Sequence, residues 1–266
     1  MPDRYAVIGN PVTHSKSPWI HAQFARATGE DLEYGRLEAP ADGFVQAVEA
    51  FRAQRGKGLN VTLPFKEQAF RFCAGVSERA AAAQAVNTLV LDRGKPWGDN
   101  TDGLGLVRDL SVNLGRELAG ARLLLLGAGG AAQGVLAPLA QAGATRIVIA
   151  NRSLPRAQAL AARLPGVTAR SYEALAGEAF DLVINATSAG LTGDLPPLPQ
   201  GLFRRGALAY DMVYGRDTAF LAMARAAGAQ TSDGLGMLVE QAAESFQIWR
   251  GLRPETRAVL AALRAQ

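Results

Sequence analysis

The stretch LLLLGAGGAA, residues 123–132, joins an apolar run to an alanine-rich segment through closely spaced glycines. Gly127, Gly129 and Ala132 fit the spacing G-x-G-x-x-A. The first glycine permits a tight turn, the second lets backbone N–H groups approach a pyrophosphate, and a small third residue lets a helix pack closely on a strand. The stretch therefore predicts a strand, a dinucleotide-binding turn and a helix whose positive end faces the anion. A glycine turn that merely joins the two elements is the open alternative.

Apolar runs and helical stretches alternate on both sides of this turn. Beyond it they are RLLLLG, AAQGVLAPLAQAG, TRIVIANRS, LPRAQALAARL, FDLVINAT and ALAYDMV. This rhythm predicts βαβ units, and the unbroken apolar runs 123–126 and 147–149 are typical of strands buried on both faces of a parallel sheet. We therefore predict an α/β protein with a Rossmann-type doubly wound parallel sheet in this half. Pro138 should kink or shorten the first helix.

The turn after the second of these strands indicates which dinucleotide would bind. NAD sites commonly place an acidic residue there, which accepts a hydrogen bond from the ribose 2′-hydroxyl and would repel a 2′-phosphate. This chain has donors and positive charge instead, at Asn151, Arg152, Ser153 and Arg156. Because the guanidinium fork suits a phosphate, we predict NADP(H). The alternative is that both arginines are solvated residues at a helix start.

The residues before 101 alternate in the same way and predict a separate α/β domain. Its strand candidates are RYAVIG, LEYGRLEA, KGLNVTLP and NTLVLD, with helices near 18–28, 42–54 and 66–73. The tail from residue 234 is helical, and Pro254 suits the first turn of a last helix.

Composition narrows the function classes. No segment of the 266 residues approaches the ~20 apolar residues of a membrane span, and the first residues lack the features of a secretory signal, so we expect cytoplasmic residence. One cysteine, Cys73, fits a reducing compartment, and two histidines, His14 and His21, give no ligand cluster, so no metal is expected. The net charge of +4 is scattered without a basic run, which favours a small anionic ligand over nucleic acid.

Four polar stretches, THSKSP, NVTLPFK, AVNTL and GDNTDG, fall where elements of the first domain should end. If Pro18 opens a helix, the hydroxyls of Ser15 and Ser17 lie at its positive end, which suits a carboxylate. Simple N-capping by Ser17 is the alternative. Short polar side chains that could together hold a hydroxylated ring are Asn60, Thr62, Asn87, Thr101 and Asp102, although each alone is more often a turn or cap residue.

Lys66 is unusual because only four of the 28 lysine and arginine residues are lysines. A lysine can give and take a proton near neutral pH when its surroundings shift its pKa, whereas arginine effectively never releases one. Lys66 is therefore a candidate for proton transfer. The alternative is a solvated lysine on the first turn of a helix.

Nine segments resemble the shikimate dehydrogenase family, in the family's order and over essentially the whole chain. They are GNPVTHSKSPWIH, LNVTLPFK, AVNTL, GDNTDGLG, LLLLGAGGAA, NRSLPRA, INATSAGL, DMVY and DGLGMLVEQAAESFQIW. The resemblance implies reversible NADPH-dependent reduction of 3-dehydroshikimate to shikimate in aromatic amino acid biosynthesis. It further implies an α/β substrate-binding domain beside the Rossmann-type domain, and we predict the division as 1–101 plus 237–266 and 102–236.

The resemblance also implies a set of site residues. The substrate carboxylate would be bound by Ser15, Ser17 and Tyr214. The ring hydroxyls would be held by Thr62, Lys66, Asn87, Asp102 and Gln241, with Asn60 adjacent. Lys66 and Asp102 would form the pair that transfers a proton to and from the substrate oxygen. The cofactor would be held by Gly127, Ala128, Gly129, Gly130, Ala131, Asn151, Arg152, Ser153, Arg156, Met212, Gly234 and Glu78, the last of which could equally be an ordinary helix-start residue. One departure is Gly215-Arg216, where the family often has Asn-Pro, so a more mobile loop is expected.

Three other interpretations stay open. A paralogue could prefer quinate or use NAD, although the arginines at NRSLPR disfavour NAD. A different two-domain enzyme acting on folates or tRNA-linked glutamate is disfavoured by the SKS and NTDG segments. A non-catalytic regulator that senses NADP or a metabolite is disfavoured by the presence of both Lys66 and Asp102. A monomer and a homodimer are both compatible with the sequence.

Overall fold

The computed structural model describes residues 1–187, 189 and 194–266. Ser188, Gly190 and Leu191 of the INATSAGL segment lie outside the described residues. The chain divides into two compact units, residues 1–105 with 238–266 and residues 106–237. The first boundary therefore falls after residue 105 and not after 101, because Asp102 hydrogen-bonds to residues of the first unit and belongs with them. The second boundary falls after 237 and not after 236.

The first unit is built on a six-stranded mixed sheet with the order β2-β1-β3-β5-β6-β4. Its strands are β1 Asp3–Gly9, β2 Leu32–Glu38, β3 Gly56–Val61, β4 Gly75–Val76, β5 Thr88–Val90 and β6 Trp97–Asp99. The strand β5 is antiparallel to β3 and to β6, whereas β1 is parallel to β2 and β3. The helices that follow β1, β3 and β6 therefore begin at the same end of the sheet's strands at which β5 begins.

Five helices are described in the N-terminal part of the chain. They are α1 Ser17–Thr28, α2 Phe44–Ala53, α3 Lys66–Phe72, α4 Glu78–Ala83 and α5 Asp102–Arg108, the last followed by a π-helical turn Asp109–Asn113. Apolar side chains of α2, α3 and the sheet form the core, with Phe44, Phe65 and Leu59 fully buried. The predicted helices 18–28, 42–54 and 66–73 thus agree with the structure within two residues at each end.

The second unit is built on a six-stranded parallel sheet with the order β12-β11-β10-β7-β8-β9. Its strands are β7 Arg122–Leu126, β8 Arg146–Ala150, β9 Val167–Arg170, β10 Phe180–Asn185, β11 Phe203–Asp211 and β12 Gln230–Ser232. The chain winds outward in one direction from β7 to β9 and in the other from β10 to β12, which is the doubly wound arrangement of a dinucleotide-binding domain. The switch point lies between β7 and β10, next to the glycine turn.

Helices cover this sheet, and its strands are buried as predicted. The helices are α6 Gly130–Gln141, α7 Leu154–Ala161 and α8 Ala219–Ala226, with a short 3₁₀ turn Glu173–Leu175. Residues 123–126 are completely buried, and two apolar clusters pack against the sheet. Pro138 does not end α6, which continues to Gln141.

The C-terminal tail forms α9 Leu235–Arg250 and α10 Arg257–Arg264. Most of α9 and all of α10 belong to the first unit, where Trp249 stacks on Tyr5 at 4.6 Å between ring centroids and donates a hydrogen bond to the carbonyl of Leu89. Pro254 lies before α10 and not in its first turn, because the helix begins only after Thr256. Among the described residues, no helix has the length and apolarity that crossing a bilayer requires.

Candidate functional site

The Lys66 ammonium and the Asp102 carboxylate form a close ion pair in the first unit. Lys66 is the first residue of α3, Asp102 is the first residue of α5, and the Lys66 Nζ to Asp102 Oδ2 distance is 2.6 Å. The side chains are 15% and 7% exposed. Lys66 is therefore not the solvated first-turn lysine of the alternative interpretation, and its charge has a fixed partner.

Asn87 holds the other oxygen of the same carboxylate. Its Nδ2 donates to Asp102 Oδ1 at 2.8 Å, and its Oδ1 accepts from the backbone N–H of Thr101 at 2.8 Å. Because a backbone N–H can only donate, the Asn87 oxygen must face Thr101 and the amide nitrogen must face Asp102. The carboxylate is thus held on both oxygens, by an ammonium and by an amide.

Three further predicted residues line the same part of the unit. Gln241 on α9 accepts from Asn87 Nδ2 at 3.3 Å. Asn60, in β3, donates through Nδ2 to the backbone carbonyl of Asn87 at 3.2 Å. Thr62 follows β3, and its methyl group packs so closely over Gly9 that a Cβ at that glycine would lie 2.4 Å away. The structure therefore brings Asn60, Lys66, Asn87, Asp102 and Gln241 into one hydrogen-bonded cluster.

Ser15 and Ser17 are both buried at the beginning of α1. The helix starts at Ser17, Pro18 occupies its first turn, and the N-cap residue is Lys16, which makes no side-chain cap. Ser17 is therefore not the N-cap, and its N–H is instead accepted by Ser15 Oγ at 3.3 Å. Two hydroxyls at the positive end of a twelve-residue helix can bind a carboxylate.

Arg36 and Tyr34, on β2, are neighbours of this site that the sequence did not single out. The guanidinium of Arg36 donates to the carbonyl of Ser15 at 2.6 Å and so holds the serine loop. The hydroxyl of Tyr34 donates to Asn60 Oδ1 at 2.7 Å, and burial raises the tyrosine's pKa well above its usual value while a hydrogen bond with Ser17 opposes the shift. Alternation along an edge strand gave no signal for either residue, because their partners are distant in sequence.

The glycine turn of the second unit has the geometry that a pyrophosphate requires. Gly127 adopts φ +108°, and a Cβ there would lie 3.1 Å from the backbone of Ala186. Gly129 is the N-cap of α6 in an extended conformation, and a Cβ there would meet nothing within 4 Å. Gly127 is therefore required by the fold, whereas the space beside Gly129 is left open at the positive end of a helix.

The predicted phosphate-binding segment forms the turn between β8 and α7. Asn151 Nδ2 donates to the carbonyl of Ser153 at 3.0 Å, which shapes the turn, and Ser153 is the N-cap of α7 without a side-chain cap. Arg152 and Arg156 are exposed. Two exposed guanidinium groups beside a helix start, with no carboxylate in the segment, match a 2′-phosphate and not a free ribose 2′-hydroxyl.

A loop after β11 carries the remaining predicted residues of this unit. A Cβ at Gly234 would lie 2.3 Å from the carbonyl oxygen of Met212, so these two backbones touch and only glycine fits. Tyr214 is partly exposed in the same loop. Gly215 adopts φ +74°, and its N–H donates to Asp233 Oδ2 at 3.3 Å.

Glu78 is an exposed first residue of α4 in the first unit, whereas the other predicted cofactor residues lie in the second. Its position gives it the ordinary role of an acidic residue at a helix start. In the described part of the chain, no three His, Cys, Asp or Glu side chains are grouped so as to hold a metal ion. Burial raises the pKa of Cys73 to about 12, so the thiol is not a nucleophile at neutral pH.

The two units thus offer complementary chemistry. The first offers two hydroxyls at a helix start and a polar cluster around an ammonium and a carboxylate, which suits a hydroxylated ring bearing a carboxylate. The second offers a glycine cradle, an open helix start and a turn with two arginines, which together fit the pyrophosphate and the 2′-phosphate of NADP. No acidic residue occupies the position that recognises NAD.

Family models cover three segments of the chain. The model described as the shikimate dehydrogenase substrate binding domain matches residues 7–89. The model described as shikimate / quinate 5-dehydrogenase matches residues 109–192, and that of the shikimate 5′-dehydrogenase C-terminal domain matches residues 234–264.

Relatives and solved structures match over the full length. A shikimate dehydrogenase (NADP(+)) from Methylobacillus flagellatus is 58% identical over 268 residues, which cover 99% of each chain. An Ael1 enzyme from Pseudomonas putida has a TM-score of 0.91 at 50% identity, covering 98% of each chain. A shikimate 5-dehydrogenase from Thermus thermophilus, solved with NADP(H) and shikimate, has a TM-score of 0.89 at 36% identity, covering 99% of each chain.

Proposed function

The chain belongs to the shikimate dehydrogenase family, and we propose that it catalyses the reversible NADPH-dependent reduction of 3-dehydroshikimate to shikimate. The observation that carries the proposal is the contact between Lys66 and Asp102, 2.6 Å long, inside a buried cluster of amide and hydroxyl groups. A regulator that only binds a metabolite has no need of a paired proton donor beside its ligand. The non-catalytic alternative is therefore the weaker one.

Substrate binding would use the elements at one edge of the first unit's sheet. Ser15 and Ser17 would bind the carboxylate at the start of α1, with Tyr214 as a further donor. The ring hydroxyls would be held by Asn60, Thr62, Lys66, Asn87, Asp102 and Gln241. The density of buried amides supports this assignment, because amides present both donors and acceptors to hydroxyl groups and the carboxylate presents acceptors.

The cofactor would be held by the second unit through residues 127–131 at the pyrophosphate and residues 151–156 at the 2′-phosphate. Met212 and Gly234 would border the nicotinamide, and Glu78 stays a weaker candidate. The chemistry that bound NADPH supplies is hydride transfer to the ring carbonyl carbon.

Lys66 would provide the proton. As negative charge develops on the carbonyl oxygen during reduction, the ammonium stabilises it and donates a proton. Asp102 holds the ammonium in place through Oδ2, and Asn87 keeps the carboxylate from turning. In the oxidative direction, the neutral amine of Lys66 would accept the proton of the substrate hydroxyl.

A spectrophotometric assay tests the proposal. Purified protein is mixed with NADP⁺ and shikimate, and the absorbance of reduced cofactor is followed. In parallel reactions NAD⁺ replaces NADP⁺, and quinate replaces shikimate. We expect turnover with NADP⁺ and shikimate, and a dissociation constant for NADP(H) tighter than that for NAD(H). Turnover with quinate alone would favour the quinate paralogue, and the absence of turnover with every pair would leave the regulator.

Residence in the cytoplasm and assembly as a monomer or homodimer stay predictions. The single free cysteine supports a reducing compartment. Cell fractionation and light scattering of the purified protein test these two points.

A further inference from the structure

The hydroxyl of Ser245 joins four polar groups in the interior of the first unit. Ser245 is fully buried on α9, and its Oγ accepts from Asn60 Nδ2 at 2.9 Å and donates to the Gln241 carbonyl at 3.0 Å. It also lies 2.8 Å from Thr88 Oγ1 and 3.2 Å from Thr101 Oγ1. A hydroxyl has one hydrogen and two lone pairs. Because the Thr88 hydrogen lies on Asn87 Oδ1, the Ser245 hydrogen is shared between the Gln241 carbonyl and Thr88 Oγ1, and the Ser245 lone pairs accept from Asn60 and Thr101.

Thr88 carries this contact to Asn87. It is fully buried at the start of β5, and its hydroxyl donates to Asn87 Oδ1 at 2.9 Å. That oxygen also receives the Thr101 N–H, so two donors hold one end of the amide. The other end is thereby directed at Asp102, whose second oxygen pairs with Lys66.

The geometry points to Ser245 and Thr88 as positioning residues of the proton-transfer pair, which act through the Asn87 amide. This inference rests on the proposed function and deepens it. Neither hydroxyl contacts Lys66 or Asp102 among the described hydrogen bonds. Thr88 fixes the Asn87 amide that holds the carboxylate, and Ser245 fixes Thr88. Without them, the Asn87 amide has fewer constraints on its rotation, and its hydrogen bond to Asp102 Oδ1 is held less firmly.

A purely structural role would also bury two hydroxyls, so the test needs a matched control. Thr256 is 6% exposed, and its hydroxyl donates to Glu240 Oε1 at 2.7 Å, so it too is a buried hydroxyl bonded to α9. It has no described bond to Asn87 or its partners. Thr256→Val therefore removes a comparable buried hydrogen bond away from the pair.

The kinetic test compares Ser245→Ala, Thr88→Val, the double variant and Thr256→Val in shikimate oxidation with NADP⁺. We expect kcat to fall about tenfold in each single variant because the proton-transfer geometry loosens, with KM for shikimate changing less. The double variant should lose little more than either single variant, because the two hydroxyls act in one chain. Thr256→Val should lower Tm and keep kcat. The pH dependence of kcat should change only in the variants of Ser245 and Thr88.

A second measurement does not depend on activity. The chain has only four lysines, so the side-chain ¹³Cε signals of selectively labelled lysine can be resolved, and Lys66→Arg identifies that of Lys66. We expect this signal to move in Ser245→Ala and Thr88→Val and to stay in Thr256→Val. An unmoved signal with unchanged kcat in a folded Thr88→Val protein would overturn the inference even if Ser245→Ala failed to fold. If the wild type showed no turnover, the proposed function would fail, while the lysine signal would still decide this point.

Discussion

The ammonium of Lys66 could in principle be replaced by a guanidinium, because arginine also pairs with carboxylates and this chain uses arginine almost everywhere else. Charge pairing with Asp102 therefore does not explain why the residue is lysine. Proton transfer does, since a lysine side chain can give up a proton, whereas an arginine in a protein effectively never does.

Replacing Lys66 separates charge from proton transfer. We expect Lys66→Ala to lower kcat by ~10²-fold or more with a modest change in KM, as for the loss of a general acid. Lys66→Arg should be nearly as inactive, although it keeps the charge. Lys57→Arg is the control, because Lys57 is also ion-paired, to Asp3 at 2.7 Å, and lies outside the cluster. Steady-state kinetics decide the matter, and an active Lys66→Arg enzyme would mean that charge alone suffices.

His21 is a second buried titratable residue, on the inner face of α1. Its ring stacks on Tyr34 at 4.1 Å between centroids and contacts Phe24, Phe246 and Trp249. Neither ring nitrogen makes a hydrogen bond with the described part of the chain. Burial lowers the pKa of His21 from 6.5 to about 3, with the Asn60 side chain acting in the opposite direction. The folded protein therefore keeps this ring neutral where the unfolded chain would protonate it.

This difference predicts a loss of stability in mild acid. Between pH 6.5 and pH 3 the unfolded state binds the extra proton, so the free energy of unfolding falls as the pH falls, by about 2 kcal/mol between pH 7 and pH 5. We expect His21→Phe to remove this part of the pH dependence. His14→Gln, at the exposed histidine, should retain it. Urea unfolding at several pH values measures the effect, and an equal loss in His21→Phe would rule out His21 as its source.

The glycine turn between β7 and α6 contains two positions that hold glycine for different physical reasons. Gly127 has a left-handed conformation and a neighbouring backbone at 3.1 Å, so the folded chain itself demands glycine. Gly129 has φ −90° and open space, so the folded chain would accept a larger residue. The approach of a ligand to the start of α6 explains the second glycine, which is also an acceptable N-cap residue.

Gly129→Ala should therefore weaken cofactor binding much more than it weakens the fold. We expect a small fall in Tm, because alanine is a poorer N-cap than glycine, and a fall of about tenfold or more in affinity for NADP⁺, because the added methyl occupies the path of the pyrophosphate. Gly127→Ala should lower Tm as well. Gly35→Ala, at another position where a Cβ meets nothing within 4 Å, should keep the affinity. Calorimetric titration measures these affinities, and unchanged NADP⁺ binding by Gly129→Ala would contradict the assignment of the turn.

Each of the two units has its own hydrophobic core and its own set of candidate ligand groups. The first unit is discontinuous in sequence, because most of α9 and all of α10 belong to it but follow the second unit along the chain. Trp249 illustrates the consequence, since its indole completes the core beside Tyr5 and its bond to Leu89 spans most of the chain. The polar cluster depends on the same return through Gln241 and Ser245.

Ligands added one at a time should protect different units. Hydrogen exchange monitored by mass spectrometry should slow over residues 123–135 and 150–156 with NADP⁺ alone. Shikimate alone should slow exchange over residues 12–20, 59–66 and 86–102. The reason is that amide groups in these turns become hydrogen-bonded to ligand or excluded from water. Protection of the first unit by NADP⁺ alone would contradict the prediction that the second unit binds the cofactor and the first binds the substrate.

The fold class and the family were predictable because their signals are local. Apolar runs of four residues, the glycine spacing and the polar segments at element ends each occupy a few consecutive positions, and the two sheets and the family comparisons confirmed them. The predicted start of the last helix at Pro254 was wrong, because the last helix follows Thr256. Proline permits a helix start but does not require one.

The chemical groups of the site can be read directly from the sequence: a lysine among arginines, two serines beside Pro18, a glycine turn and a second turn without an acidic residue. Which of these groups come into contact depends on how the chain folds. Ser245 lies more than a hundred residues after Asn87 and Asp102 in the chain, yet a hydrogen bond requires its donor and acceptor atoms to lie within about 3 Å of each other. Local propensity carries no information about such distant partners, so the orientation of the Asn87 amide and the support behind it appear only when β5, α5 and α9 are packed together.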